Sequence, residues 1–121
     1  MTTIIVAALA LALIQYWIIP LSTKLDKLPY LMGTRDQPLE LSIMQARIER
    51  AANNLKESMV PFVTLALLSM IKNVDLTQVA MLWLGLRVVY VPCYMFGINP
   101  VRTFVWMASL GCLIYMAYML I

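Results

Sequence analysis

The chain has 121 residues, 63% of them hydrophobic and 12% charged, with a formal net charge of +3. A soluble domain is about half apolar and a quarter charged, so this composition excludes an ordinary soluble fold. It equally excludes a polar, self-repelling disordered tract. At about 20 residues per crossing, four spans consume most of the length. The expectation is one all-α domain over residues 1–121, an integral membrane four-helix bundle.

The first span is predicted over about 3–25. Ile4 to Ile14 is unbroken apolar sequence, and Gln15 and Pro20 interrupt the run without ending it. No Lys or Arg precedes the run, which argues against a cleaved secretory leader. Pro20 should kink the helix near its exit. A polar connection follows from Asp26 to about Pro38, with Pro29, Gly33, Asp36 and Pro38 as breakers.

The second helix should start near Leu39 or Glu40 and span about 40–72. Its first half carries Arg47, Glu49, Arg50, Lys56 and Glu57, whereas residues 58–71 carry no charge. The charged half must meet water or a polar cavity, and Pro61 stands where the character changes. A third helix is expected over about 77–96, bent but not ended by Pro92. Gly97, Asn99 and Pro100 then form a turn into a fourth helix over about 101–121.

Six of the nine Lys and Arg residues lie between Lys24 and Lys56, and Arg102 sits beside the third loop. Only Lys72 lies at the other side, so the positive-inside rule puts the first and third loops in the cytoplasm and both termini opposite. Histidine is absent, which removes the usual general base and the commonest zinc ligand, and no metal site is expected. Cys93 and Cys112 lie apart in apolar stretches and read as reduced packing residues. The positive residues are not massed with aromatics on a soluble face, which argues against nucleic acid.

Arg87 lies mid-span in the third helix. A charge there costs at least ~2.5–3.5 kcal/mol on insertion scales, so it requires a partner. Glu57, the deepest acid of the second helix, is the candidate. Arg47, Arg50, Asn54 and Glu57 follow one another at spacings of 3, 4 and 3, one helix face. Arg87, Tyr90 and Tyr94 repeat the spacing on the third helix, and Arg102, Thr103 and Trp106 share one end of the fourth. Three helices should converge on a pocket suited to an anionic, peptide-like ligand, since arginine binds carboxylates bidentately. Apolar walls beside it would admit a lipophilic second substrate. Met107, Ile114 and Tyr118 read as packing.

The stretch from Arg47 through Arg50, Asn54 and Glu57 to Pro61 resembles the second-helix signature of the membrane-associated proteins in eicosanoid and glutathione metabolism, the MAPEG family. Arg87-Val-Val-Tyr90-Val-Pro-Cys-Tyr94 is similar to the family's third-helix pattern. Pro100-Val-Arg102-Thr103 with Trp106 resembles its fourth-helix Pro-x-Arg-Ser followed by an aromatic. The resemblance covers all four helices, and the short length resembles prokaryotic members akin to microsomal glutathione transferase and prostaglandin E synthase. It implies a homotrimer in a bacterial inner membrane, with glutathione as co-substrate between subunits at the cytoplasmic side. Carried over by position, Arg50, Asn54 and Glu57 would hold the tripeptide, with Glu57 also meeting Arg87. Tyr90, Tyr94 and Trp106 would line the pocket. Arg102 and Thr103 would face the sulfur and favour thiolate.

Ala52 and Leu55 depart from a His and an Asp that some members carry, and Thr103 replaces a serine. The expected activity is glutathione-dependent transfer to, or peroxidase action on, a lipophilic electrophile. The alternative is a non-catalytic lipid-binding or scaffold protein of the same fold. A small four-helix exporter is disfavoured, because residues 1–25 contain no acid.

Overall fold

The computed structural model of the protein describes residues 1–34 and 40–121. Four of its helices are long and apolar enough to cross a membrane: α1 (Thr2–Thr23), α3 (Ile43–Ile71), α4 (Thr77–Met95) and α5 (Asn99–Leu120). The chain is thus an all-α, multi-pass integral membrane protein. The 19 residues of α4 rise ~28 Å at ~1.5 Å each, close to the ~30 Å of a hydrocarbon core.

In α1 the irregularity predicted at Pro20 takes the form of a π turn over Ile14–Ile18. Pro20 has no N–H to give, and the Ile19 N–H reaches back five residues to the Ile14 carbonyl. Such local widening is how membrane helices accommodate proline. The connection expected from Asp26 onward is more ordered than its breakers imply. It contains a 3₁₀ turn, Leu25–Lys27, and a short helix α2 (Leu28–Met32) in which Pro29 occupies a first-turn position. Asp36, Pro38 and Leu39 lie outside the described residues.

α3 begins at Ile43, later than the expected 39 or 40. Ser42 sets the start through a capping box: its hydroxyl accepts the Gln45 N–H at 3.1 Å, and its own N–H donates to the Gln45 side chain at 2.9 Å. The Gln45 amide also donates to the Thr23 carbonyl, 2.8 Å away, joining the start of α3 to the end of α1. At the far end Asn73 adopts φ +56°, while the N–H groups of Asn73 and Val74 return to the carbonyls of Met70 and Ser69. This is a Schellman stop with asparagine in the left-handed position. Gly97 (φ +69°) ends α4 in the same way, with bonds from Gly97 and Ile98 to Tyr94 and Cys93.

The core is built on close approach. Phe62 of α3 stacks on Trp83 of α4, ring centres 3.8 Å apart and nearly parallel. Ala8, Ala66 and Ala80 are fully buried around them, small residues that let helix backbones come together where lipid offers no hydrophobic drive. Cys93 and Cys112 are both buried and free. Met107, Ile114 and Tyr118, expected as packing, point outward instead, because α5 turns its Ser109, Cys112, Leu113 and Met116 face to the bundle.

Candidate functional site

The polar residues gather at one end of the bundle, where α3, α4 and α5 meet. Arg87 is 1% exposed, so its guanidinium is taken wholly out of water. Its Nη1 donates to Asn54 Oδ1 at 2.9 Å, and its charged carbon lies 4.6 Å from the centre of the Tyr90 ring. Nε and Nη2 have no partner.

The expected Glu57–Arg87 pair is absent. Glu57 is exposed and lines the cavity shared with α5, whereas Asn54 reaches Arg87 of α4. Three residues advance a helix by about 300° at 3.6 residues per turn, which leaves the two side chains some 60° apart in azimuth. That is enough to bring one to Arg87 and leave the other exposed. A neutral amide and an aromatic face therefore tether the intramembrane cation, in place of a carboxylate.

Around Arg87 the aromatic residues form a ladder. Arg50 Nε donates to the Tyr94 hydroxyl at 3.2 Å, and the Arg102 guanidinium lies 4.7 Å over the Tyr94 ring. Tyr90 meets Tyr94 edge to face at 5.7 Å. Arg102 adds a third buried guanidinium donor without a partner among the described residues, its Nε. A cavity of about 210 Å³ opens here, lined by Asn54, Tyr90, Arg102, Thr103 and Trp106. A second, of about 170 Å³, shares Asn54 and Trp106 with it and adds Glu57, Ser58 and the apolar Leu110 and Leu113. The pair presents cationic and phenolic groups on one side and apolar wall on the other.

Two residues of the sequence pattern do different work from that expected. Arg47 donates from Nη1 to the Met95 carbonyl at 3.2 Å, and it lies over Gly97, where an added Cβ would come 3.2 Å from its guanidinium. It caps α4, and it lines neither cavity. Thr103 lines the first cavity, but its hydroxyl donates to the Asn99 carbonyl at 3.0 Å. Its oxygen, not its proton, is available to a ligand.

Two residues were overlooked as site candidates. Gln15 is 3% exposed with an unpartnered Oε1, and the buried Tyr16 hydroxyl also lacks a partner. Lys56 lies 5.1 Å over the Tyr16 ring. A Gln-Tyr pair inside an otherwise apolar span was the available signal. Among the described residues no group of His, Cys, Asp or Glu is placed to hold a metal.

Compared with known protein families, residues 2–121 match the model of the MAPEG family. No curated protein and no solved structure matches the chain. With the match covering nearly its whole length, the chain belongs to the MAPEG family.

Proposed function

We propose that this MAPEG member is a glutathione-dependent membrane transferase or peroxidase acting on a lipophilic electrophile. The observation that carries the reading is the set of spare donors. Arg87 Nε and Nη2 and Arg102 Nε are buried without partners among the described residues; Arg102 lines a cavity, and Arg87 lies behind its wall, bonded to the lining residue Asn54. Buried N–H groups of that kind cost free energy unless something accepts from them, and carboxylates of a peptide are acceptors of the right charge. Asn54 and Tyr90 add amide and phenol contacts. Leu110 and Leu113 offer an apolar surface to a second substrate.

Arg102 is the residue assigned to the sulfur, because its cation stabilises thiolate over thiol. In the transferase reaction the thiol proton leaves to solvent. The sulfur electron pair then forms a carbon–sulfur bond as the electrophile releases its leaving group or opens its ring. Thr103 contributes shape and an acceptor oxygen, since its proton is committed to Asn99.

Assembly completes the site in this reading. A cavity of 210 Å³ is below the ~300–1,000 Å³ usual for small-molecule sites. Along α3, the exposed residues Arg50, Asn53, Glu57, Val60, Thr64, Leu67 and Ile71 follow one another at alternating spacings of 3 and 4. That stripe forms one face of α3, the spacing that parallel self-associating helices use. The family resemblance supports three copies. Glu57, exposed in one chain, then faces a neighbour and the tripeptide between them. The positive-inside bias supports a cytoplasmic side for this end of the bundle, and the resemblance to short prokaryotic members supports a bacterial inner membrane.

A non-catalytic lipid-binding role is favoured by one observation, the engagement of the Thr103 hydroxyl with backbone, which leaves a single group to activate the thiol. Glutathione titration by calorimetry, paired with conjugation of 1-chloro-2,4-dinitrobenzene, separates the readings. For the enzyme, wild type binds and turns over, and Arg102→Leu lowers turnover about 100-fold while tripeptide binding weakens far less, since Arg87 and Asn54 remain. Wild-type protein that binds but conjugates no electrophile supports the lipid-binding reading, and no glutathione binding at all overturns the proposal.

A further inference from the structure

At the end of the bundle opposite the arginines, a cleft of about 410 Å³ opens between the start of α4 and the end of α5. It is nearly twice the volume of the arginine cavity, and within the range of small-molecule sites. Twelve residues of α5 separate Thr103 at one cavity from Tyr115 at the other, ~18 Å of helix at ~1.5 Å per residue. The two sites are therefore independent.

The walls are two helical ridges. Gln78 and Leu82, four apart, line the cleft from α4 together with Val79, and Tyr115 and Met119, four apart, line it from α5. Leu82, Tyr115 and Met119 are all well exposed. Asp75 stands at the rim, in the loop between α3 and α4. Its Oδ1 accepts the Thr77 N–H at 3.1 Å, and the Thr77 bonds hold its carboxyl below the usual carboxylate range, so it is ionised at neutral pH.

That carboxylate has no ion-pair partner among the described residues. Lys72, the one cation in the loop, donates to the Leu120 carbonyl at the end of α5. The amino group at Met1 acts on Asp75 only weakly, through space. Helix capping alone would account for Asp75, since one oxygen suffices for the Thr77 N–H. It does not account for an open cleft that sets this charge beside a half-exposed phenol ring and three apolar side chains.

We propose that this cleft binds amphipathic organic cations. The charged centre sits beside the Asp75 carboxylate and the Tyr115 ring, both of which line the cleft, and aromatic rings attract ammonium and phosphonium groups. The apolar body lies on Val79, Leu82 and Met119. The mouth is at the end of two spans, the boundary between water and hydrocarbon where such molecules concentrate. A shape-matched anion is repelled by Asp75.

Full-length protein in neutral maltoside micelles, titrated calorimetrically with tetraphenylphosphonium and separately with tetraphenylborate, tests this. The two probes share size and apolarity and differ in charge. Expected are saturable binding of the cation, none of the anion, a loss of about five-fold in Asp75→Asn, and about three-fold in Tyr115→Leu. Asp75→Asn retains an amide oxygen for the Thr77 N–H, and its unchanged thermal unfolding shows that the bundle is intact. Equal binding of both probes, no saturable binding of the cation, or undiminished affinity in Asp75→Asn overturns the proposal.

Discussion

The two halves of the bundle hold together by opposite means. Around Phe62 and Trp83 the helices meet through stacked rings and alanines, and the one polar atom of the stack, the neutral Trp83 indole N–H, is buried without a partner among the described residues. Around Arg87 and Arg102 they meet through a guanidinium–amide bond, phenol rings and donors left over. The spare donor of the stack is a single neutral N–H, whereas those of the polar end belong to guanidinium cations, whose unpaired burial costs more free energy. The apolar half builds the scaffold, and the polar half holds unsatisfied chemistry in position on it.

The contrast is sharpest where one half can be damaged without the other. Trp83→Ala removes a fully buried ring from the stack, and ~3–5 kcal/mol of stability should go with it. Thermal unfolding in micelles reads that loss. Glutathione affinity measured well below the transition should stay near wild type, since neither ring of the stack lines the two cavities.

Asn54→Leu attacks the polar half. It deprives Arg87 of its one hydrogen bond, which should cost ~1–3 kcal/mol and weaken glutathione binding as well. An unfolding curve like wild type would show that the amide does not hold the cation. Gly97→Ala forces a side chain into φ +69° and against Arg47, for a cost of ~1–2 kcal/mol at the end of α4. Arg47→Ala combined with it should relieve the steric part only, a difference that a double-mutant cycle resolves.

Glu57→Gln is the smallest effect on stability. The carboxylate does not touch Arg87, so in dissociated single chains the change should stay within ~0.5 kcal/mol. A loss of several kcal/mol would restore the ion pair that the sequence suggested.

The sequence made the architecture legible because its strongest signals were long and cumulative. Four apolar runs, charges confined to one half of the second helix, and matched spacings of Arg87, Tyr90 and Tyr94 all reappear in the fold as four spans with three helices converging. Finer points turned on local competition that spacing does not rank. Asn54 and Glu57 share a helix face in projection, yet only one is turned to α4. Ser42 with Gln45 was a readable capping box, but charge content drew the predicted start to Leu39 or Glu40. The π turn before Pro20 and the back-bonding of Thr103 are choices of backbone and hydroxyl geometry, invisible in residue type alone. Met107, Ile114 and Tyr118 were assigned to packing because apolar periodicity in a span does not distinguish protein from lipid.

The central claim is that spare guanidinium donors between α3, α4 and α5 await an anionic ligand. A cryo-electron microscopy map of the protein in lipid nanodiscs with saturating glutathione tests it most directly. The account predicts tripeptide density in the cavity bounded by Asn54, Tyr90, Arg102 and Trp106, with carboxylates on arginine and the sulfur beside Arg102. Density elsewhere, or Arg87 bonded to Glu57 of its own chain with the cavity filled by side chains, would contradict it.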